Sequence, residues 1–262
     1  MPETTAGGVC IRYDDIGRGE PLLLGLTGWC ASRRHFAAMA HELAPRRRVI
    51  TLDWRGHGES AKPSADFGAA DLVEDAAAVI AASGARRIVP IATAHAGWVA
   101  IELRRRLGDR IPKIILLDWI VLDPPPPFLG ALGAMQDPAS CQQTVDQLFS
   151  MWIGTSTHKA VADFIRNDMG SYGTDMWARA GREIGAAYGR EGNPLKALAA
   201  LPSPPPVLHL YAVPKDEGYL AAQHAFAKDH PWFQVRRLDT LTHFPTLESP
   251  QTVAAAVDSF VG

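Results

Sequence analysis

Ile88-Val-Pro-Ile-Ala-Thr-Ala-His-Ala-Gly-Trp98 is the stretch on which the fold turns. Its first residues are apolar and β-rich, its middle is a run of small residues, and Gly97 and Trp98 open a run to Leu107 that suits a helix. A strand, a tight turn and a helix in immediate succession lift the side chain at the turn above the end of a sheet. Ala94 occupies that point. The plain alternative is a small-residue turn with no chemistry.

Outward from this segment, short β-rich runs at 9–13, 21–26, 48–53, 87–92, 113–118, 207–212 and 233–238 alternate with helical patterns at 33–43, 69–83, 97–107 and 251–261. Strands alternating with helices indicate an α/β fold: one doubly wound, mostly parallel sheet. The rhythm breaks at Pro124 to Pro127, where the prolines stop any regular element, and resumes after Pro202 and Pro204 to Pro206. Between these stops the chain reads as amphipathic helices, with Leu148, Phe149, Met151, Trp152, Phe164, Met176, Trp177, Ile184 and Tyr188 as their apolar faces. We therefore expect a core of 1–123 and 202–262, with 124–201 as an inserted helical cap over the carboxyl edge of the sheet, where ligands bind in open α/β folds.

The chain has 262 residues, 47% of them hydrophobic, enough for a sizeable core. Its 26 Lys+Arg against 28 Asp+Glu leave a net charge of -2, so no basic field gathers nucleic acid. No apolar run approaches the ~20 residues that span a bilayer, and Met1 to Cys10 lack the pattern of a secretory leader. A soluble, cytoplasmic protein with no membrane partner is expected. The three cysteines, Cys10, Cys30 and Cys141, are too few and too scattered for a disulfide framework. No two histidines stand at H-x-H or H-x-x-x-H spacing, and Gly25 and Gly28 do not continue into G-x-G-x-x-G, so no metal and no dinucleotide cofactor is expected.

The elbow shape has the form of the G-x-S-x-G turn of α/β hydrolases, with Ala94 where the nucleophile stands. A methyl group attacks no carbonyl. Leu24-Gly-Leu-Thr-Gly-Trp-Cys30 sits where that fold keeps an oxyanion-hole loop, and Asp53-Trp-Arg-Gly-His-Gly-Glu-Ser60 reads as scaffold, with Arg55 and His57 structural. Leu241-Thr-His-Phe-Pro245 follows the last strand and places His243 as a general base. A carboxylate on its far ring nitrogen would fix the tautomer; Asp118, which ends the strand 113–118, and Asp216, which follows the strand 207–212, are the two candidates.

More closely, Gly28-Trp-Cys30, Trp54-Arg-Gly-His-Gly58, His95-Ala-Gly-Trp98, Leu117-Asp-Trp119, Leu148 to Trp152, Trp177-Ala-Arg-Ala-Gly-Arg182, Ala187-Tyr-Gly-Arg190, His230-Pro-Trp-Phe233 and Thr242-His-Phe-Pro245 resemble the cofactor-free 2,4-dioxygenases of 3-hydroxy-4(1H)-oxoquinolines. The resemblance runs from about residue 20 to 250, through sheet and cap alike. It implies a small aromatic substrate and O2 as reactants, no cofactor, and a His/Asp pair that deprotonates the 3-hydroxyl. The organic anion then reduces O2, and the ring opens through an endoperoxide to carbon monoxide and an N-acylanthranilate. By position it implies His243 as base, Asp118 as its partner, the main-chain N–H groups of Trp29 and His95 as oxyanion hole, and Trp152 as an aromatic wall. The chain departs from the family at Ala94 for Ser, Thr93 for His and Ala31 for His; Ala31 and Thr93 make the pocket less polar and leave space for a 2-alkyl tail, with 2-H and 2-methyl rings as the other candidate substrates. The rival readings are a hydrolase of an ester, lactone or C–C bond with its nucleophile replaced, and a silent binding protein.

Overall fold

Continuous runs of Ile, Leu and Val need cover on both faces, and the molecule is arranged to give it. The computed structural model describes residues 2–262, and among these eight strands form one sheet. They are β1 (Glu3–Ala6), β2 (Val9–Ile16), β3 (Leu22–Leu26), β4 (Val49–Leu52), β5 (Ile88–Thr93), β6 (Ile114–Leu117), β7 (Val207–Tyr211) and β8 (Phe233–Arg237). The order is β1-β2-β4-β3-β5-β6-β7-β8, parallel throughout except that β2 runs antiparallel to both β1 and β4. The expected α/β-hydrolase-type sheet is therefore present. Every residue of β3 to β7 is buried.

Side chains alternate between the two faces. Leu23, Val89 and Ile115 pack with Met39, Leu43, Val253 and Val257 from α1 (Ala37–Leu43) and α11 (Pro250–Val261). Leu22, Leu24 and Ile88 face the other way, onto Leu72 and Val79 of α2 (Ala69–Ser83) and Ile101 of α3 (Gly97–Leu107). The helix expected over 33–43 begins instead as a 3-10 turn, Arg33–Phe36, capped by Ser32, because Asp53 takes the Arg33 main-chain N–H at 2.7 Å and draws the turn inward.

Between β6 and β7 lie α4 (Pro126–Ala134), α5 (Cys141–Ile153), α6 (Lys159–Asp163), α7 (Thr174–Glu191) and α8 (Pro194–Ala199). The proline run does not stop regular structure: Pro126 and Pro127 begin α4, where a missing N–H costs nothing. Met176, Trp177, Ile184 and Tyr188 are buried along α7. Met151 is not an inward-facing residue as expected; it is 65% exposed, since α5 turns Leu148 and Trp152 inward instead. Two further helices, α9 (Glu217–Asp229) and the short α10 (Pro245–Glu248), complete the chain. No helix among the described residues is long and apolar enough to cross a membrane.

Candidate active site

Register brings the site together. Leu26 pairs with Ala92, Thr93 with Leu117, and Leu117 with Leu210, so the loops after β3, β5, β6 and β7 leave the sheet at one edge. Three of the residues just beyond those strands hold the left-handed backbone that favours glycine: Cys30 at φ 54°, Ala94 at φ 48° and Asp118 at φ 44°. For an L-residue this costs roughly 1–2 kcal/mol, and such strain gathers at functional sites. The elbow is thus formed even though Ala94 carries no nucleophile. Gly97 is required behind it, because a Cβ there would stand 2.1 Å from the Trp119 ring.

Asp118 is buried, and its carboxylate is organised by the start of the β7–α9 loop. Oδ2 accepts the Ala212 N–H at 2.9 Å and Oδ1 the Val213 N–H at 3.2 Å. Oδ1 also lies 3.4 Å from Nδ1 of His243, whose side chain is 21% exposed. The alternative acid, Asp216, is exposed and caps α9 by accepting the Tyr219 N–H at 2.7 Å. Of the two carboxylates, Asp118 is the one at the imidazole. The loop carrying His243 is itself clamped: Glu248 accepts the N–H groups of Leu241 at 2.7 Å and Thr242 at 2.9 Å, and the Thr242 hydroxyl at 2.7 Å.

Trp29, Ala31, Thr93, Ala94, His95, Trp152 and His243 all line one cavity of about 90 Å³, with Asp118 behind the imidazole. The Trp152 indole stacks on the His243 ring, centroids 5.7 Å apart and planes 18° from parallel. Gly28 brings the β3 loop against the elbow, its would-be Cβ 3.8 Å from Cβ of Ala94, so the Trp29 and His95 main chains flank that residue. A larger groove of about 430 Å³, bordered by Arg34, Glu59, Asp168 and Arg179, touches neither His243 nor Asp118 and holds none of this chemistry.

The 53–60 stretch is scaffold, as expected. Arg55 pairs with Asp75 and Asp71. Nε2 of His57 accepts the Cys30 N–H at 3.1 Å, which leaves the proton on Nδ1 to be donated to the Arg55 carbonyl at 2.9 Å. Burial holds this imidazole down to about 4.

Two site residues escape the sequence reading. His35 lies in the cavity wall against Phe36, Phe164 and Phe244, only 1% exposed, with neither ring nitrogen hydrogen-bonded. Burial, then the nearby His243, holds it down to about 3. Trp119 donates its indole N–H to Nδ1 of His95 at 3.2 Å. Neither has a spacing signal, although Trp119 adjoins Asp118. Among the described residues no three His, Cys, Asp or Glu side chains gather as a metal-holding group, and all three cysteines are free thiols.

A parallel sheet with a strained elbow, a buried acid behind an imidazole and helices over the carboxyl edge define a class, and the chain belongs to it: residues 22–256 match the alpha/beta hydrolase family. Within that class the similarities are narrower. The chain is 40% identical to the 2-heptyl-3-hydroxy-4(1H)-quinolone dioxygenase of Mycobacteroides abscessus, over 98% of this chain and 97% of that one. It is 36% identical to the 1H-3-hydroxy-4-oxoquinoline 2,4-dioxygenase of Pseudomonas putida, over 100% and 99%. The solved structure of AqDC with its product, concerned with recognition and ring-cleavage of the Pseudomonas quinolone signal, superposes with TM-score 0.94 at 39% identity, covering 100% of both chains. The resemblance read from the motifs is therefore borne out.

Proposed function

We propose that this chain is a dioxygenase that opens the heteroaromatic ring of a 2-alkyl-3-hydroxy-4(1H)-quinolone without a cofactor. The observation that carries the reading is the pairing of a retained base with a missing nucleophile. His243, with Asp118 behind it, stands in a largely apolar cavity walled in part by Trp29, Phe128, Trp152, Trp177 and Phe244, while the elbow presents only the Ala94 methyl. Acyl transfer needs an attacking oxygen at that point, whereas proton removal does not. Full-length similarity to quinolone dioxygenases supports the same choice.

His243 takes the proton of the substrate 3-hydroxyl, and the buried Asp118 carboxylate stabilises the imidazolium. The resulting delocalised anion passes an electron to O2, and bonds from the two oxygens form at C2 and C4. The O–O, C2–C3 and C3–C4 bonds then break, releasing C3 as carbon monoxide and leaving an N-acylanthranilate. The main-chain N–H groups of Trp29 and His95 hold the 4-oxygen, where negative charge gathers. Trp152 is the wall against the bicycle, and residues 124–201 act as the cap that keeps water from the anion. Ala31 and Thr93 put little polarity in the way of an alkyl tail.

The test is incubation with 2-heptyl-3-hydroxy-4(1H)-quinolone and with the unsubstituted ring, under air and under argon, with an oxygen electrode and carbon monoxide detection. Equimolar O2 uptake and carbon monoxide release under air only, fastest on the alkylated ring, is expected. Turnover under argon would overturn the reaction, and preference for the unsubstituted ring would overturn the alkyl assignment.

A further inference from the structure

We propose, resting on the reading above, that Trp119 fixes His95 in the tautomer that presents Nε2–H to the substrate, making this side chain a hydrogen-bond donor to the ligand beside Ala94, in addition to the main-chain N–H groups. An indole N–H only donates. At 3.2 Å from Nδ1 of His95 it requires a lone pair there, and the ring proton then resides on Nε2. The imidazole is held down to about 3 by burial and by His243, so it stays neutral and keeps this single donor. Its ring is held by Phe128, stacked at 5.5 Å, and by the edge of Tyr188 at 5.9 Å. Trp119 is held in turn by Trp98 at 4.9 Å and by the absence of a side chain at Gly97.

Two consecutive residues at the end of β6 thus set two cavity imidazoles in opposite senses. Oδ1 of Asp118 lies 3.4 Å from Nδ1 of His243, on the side of the ring that leaves Nε2 as a base. Trp119 donates to Nδ1 of His95 and leaves its Nε2 as a donor. Deprotonation of the ligand creates an anion that needs such a donor, and position 94 has no hydroxyl to provide one. Here His95 touches substrate and Trp119 is a positioning residue.

The experiment has two readouts. Long-range proton–nitrogen NMR of the ¹⁵N-labelled protein, with the His95 signal assigned by its loss in His95→Gln, reads the tautomer directly. The proton is expected on Nε2 in the wild type, and Trp119→Phe is expected to mix the two tautomers. Anaerobic titration with a 3-hydroxy-4-quinolone reads binding. His95→Phe is expected to raise Kd roughly 10- to 100-fold, the loss of a hydrogen bond to a charged group, while His95→Gln, which keeps an amide donor, recovers most of it. A wild-type proton on Nδ1, or equal Kd values for the Phe and Gln variants, would overturn the proposal. The His95 pair decides even if Trp119→Phe does not fold. A wild type that binds the quinolone anaerobically but consumes no O2 refutes the dioxygenase reading and leaves this proposal to the tautomer and the Kd values.

Discussion

Replacing Asp118 by Asn changes one atom and should disable the base. The carboxylate serves the Ala212 and Val213 N–H groups and the His243 imidazole at once. An Asn oxygen facing Ala212 turns its NH2 toward His243 and against the Val213 N–H; the imidazole must then accept at Nδ1 and carry its proton on Nε2, where the substrate hydroxyl is to be received. The reverse orientation sets NH2 against the Ala212 N–H instead, so either way a main-chain donor is left unpaired at roughly 1–3 kcal/mol. General-base catalysis contributes ~10²–10⁴-fold. With a half-open imidazole at 3.4 Å the lower part of that range applies, so we expect kcat to fall roughly 10²- to 10³-fold, about 3–4 kcal/mol. Asp216→Ala is the control: it should leave turnover within about twofold and cost about 1 kcal/mol of stability through the lost α9 cap. Oxygen uptake with 2-heptyl-3-hydroxy-4(1H)-quinolone, with circular dichroism to verify folding, measures both. A folded Asp118→Asn variant at near wild-type rate, or a larger loss in Asp216→Ala, would refute the assignment.

Further outcomes follow from the same geometry. His243→Ala should lower turnover at least ~100-fold in the oxygen-uptake assay, the usual loss of a general base. Ala94→Ser should change quinolone turnover by less than about tenfold, as one added hydrogen bond allows, and should create no ester hydrolysis; a large gain against p-nitrophenyl esters would favour the hydrolase reading. Dialysis against a chelator should leave oxygen uptake unchanged, and loss restored by a metal would contradict the cofactor-free route. Burial holds His35 at about 3 and His57 and His209 at about 4. These folded values lie below the unfolded value of ~6.5, so the unfolded chain binds more protons as pH falls. Stability is full above pH ~6.5 and is lost toward pH 4, at up to roughly 1.4 kcal/mol per pH unit for each histidine. Urea midpoints at pH 7.5 and 5 measure this, and an unchanged midpoint would contradict it.

The central strands and the elbow were legible because β3 to β7 are mostly apolar and because an apolar strand running into the small residues Ala94, Ala96 and Gly97 and then a helix marks a tight turn. His243 was legible from its place after the last strand. Residue pattern alone left Asp118 and Asp216 open, since both follow strands; only the fold turns one inward and makes the other a helix cap. β1 escaped because four residues of Glu3–Ala6 pairing with a single neighbour need no apolar run. Helix α9 escaped because Gln223 is its one fully buried residue, holding His209 at 2.6 Å, so it shows almost no apolar stripe. The parallel pairing of β7 and β8 nevertheless demands a crossover there. His35 is brought to the cavity wall by the fold and Trp119 reaches His95 through its orientation, neither of which a spacing rule encodes.

The most direct measurement is a turnover in ¹⁸O2 with mass analysis of both products. Two labelled oxygens in the N-acylanthranilate, one in the amide and one in the carboxylate, with unlabelled carbon monoxide, are expected. Label arriving from ¹⁸O-water instead, with none from O2, would mean that His243 activates water and that the chain hydrolyses its substrate.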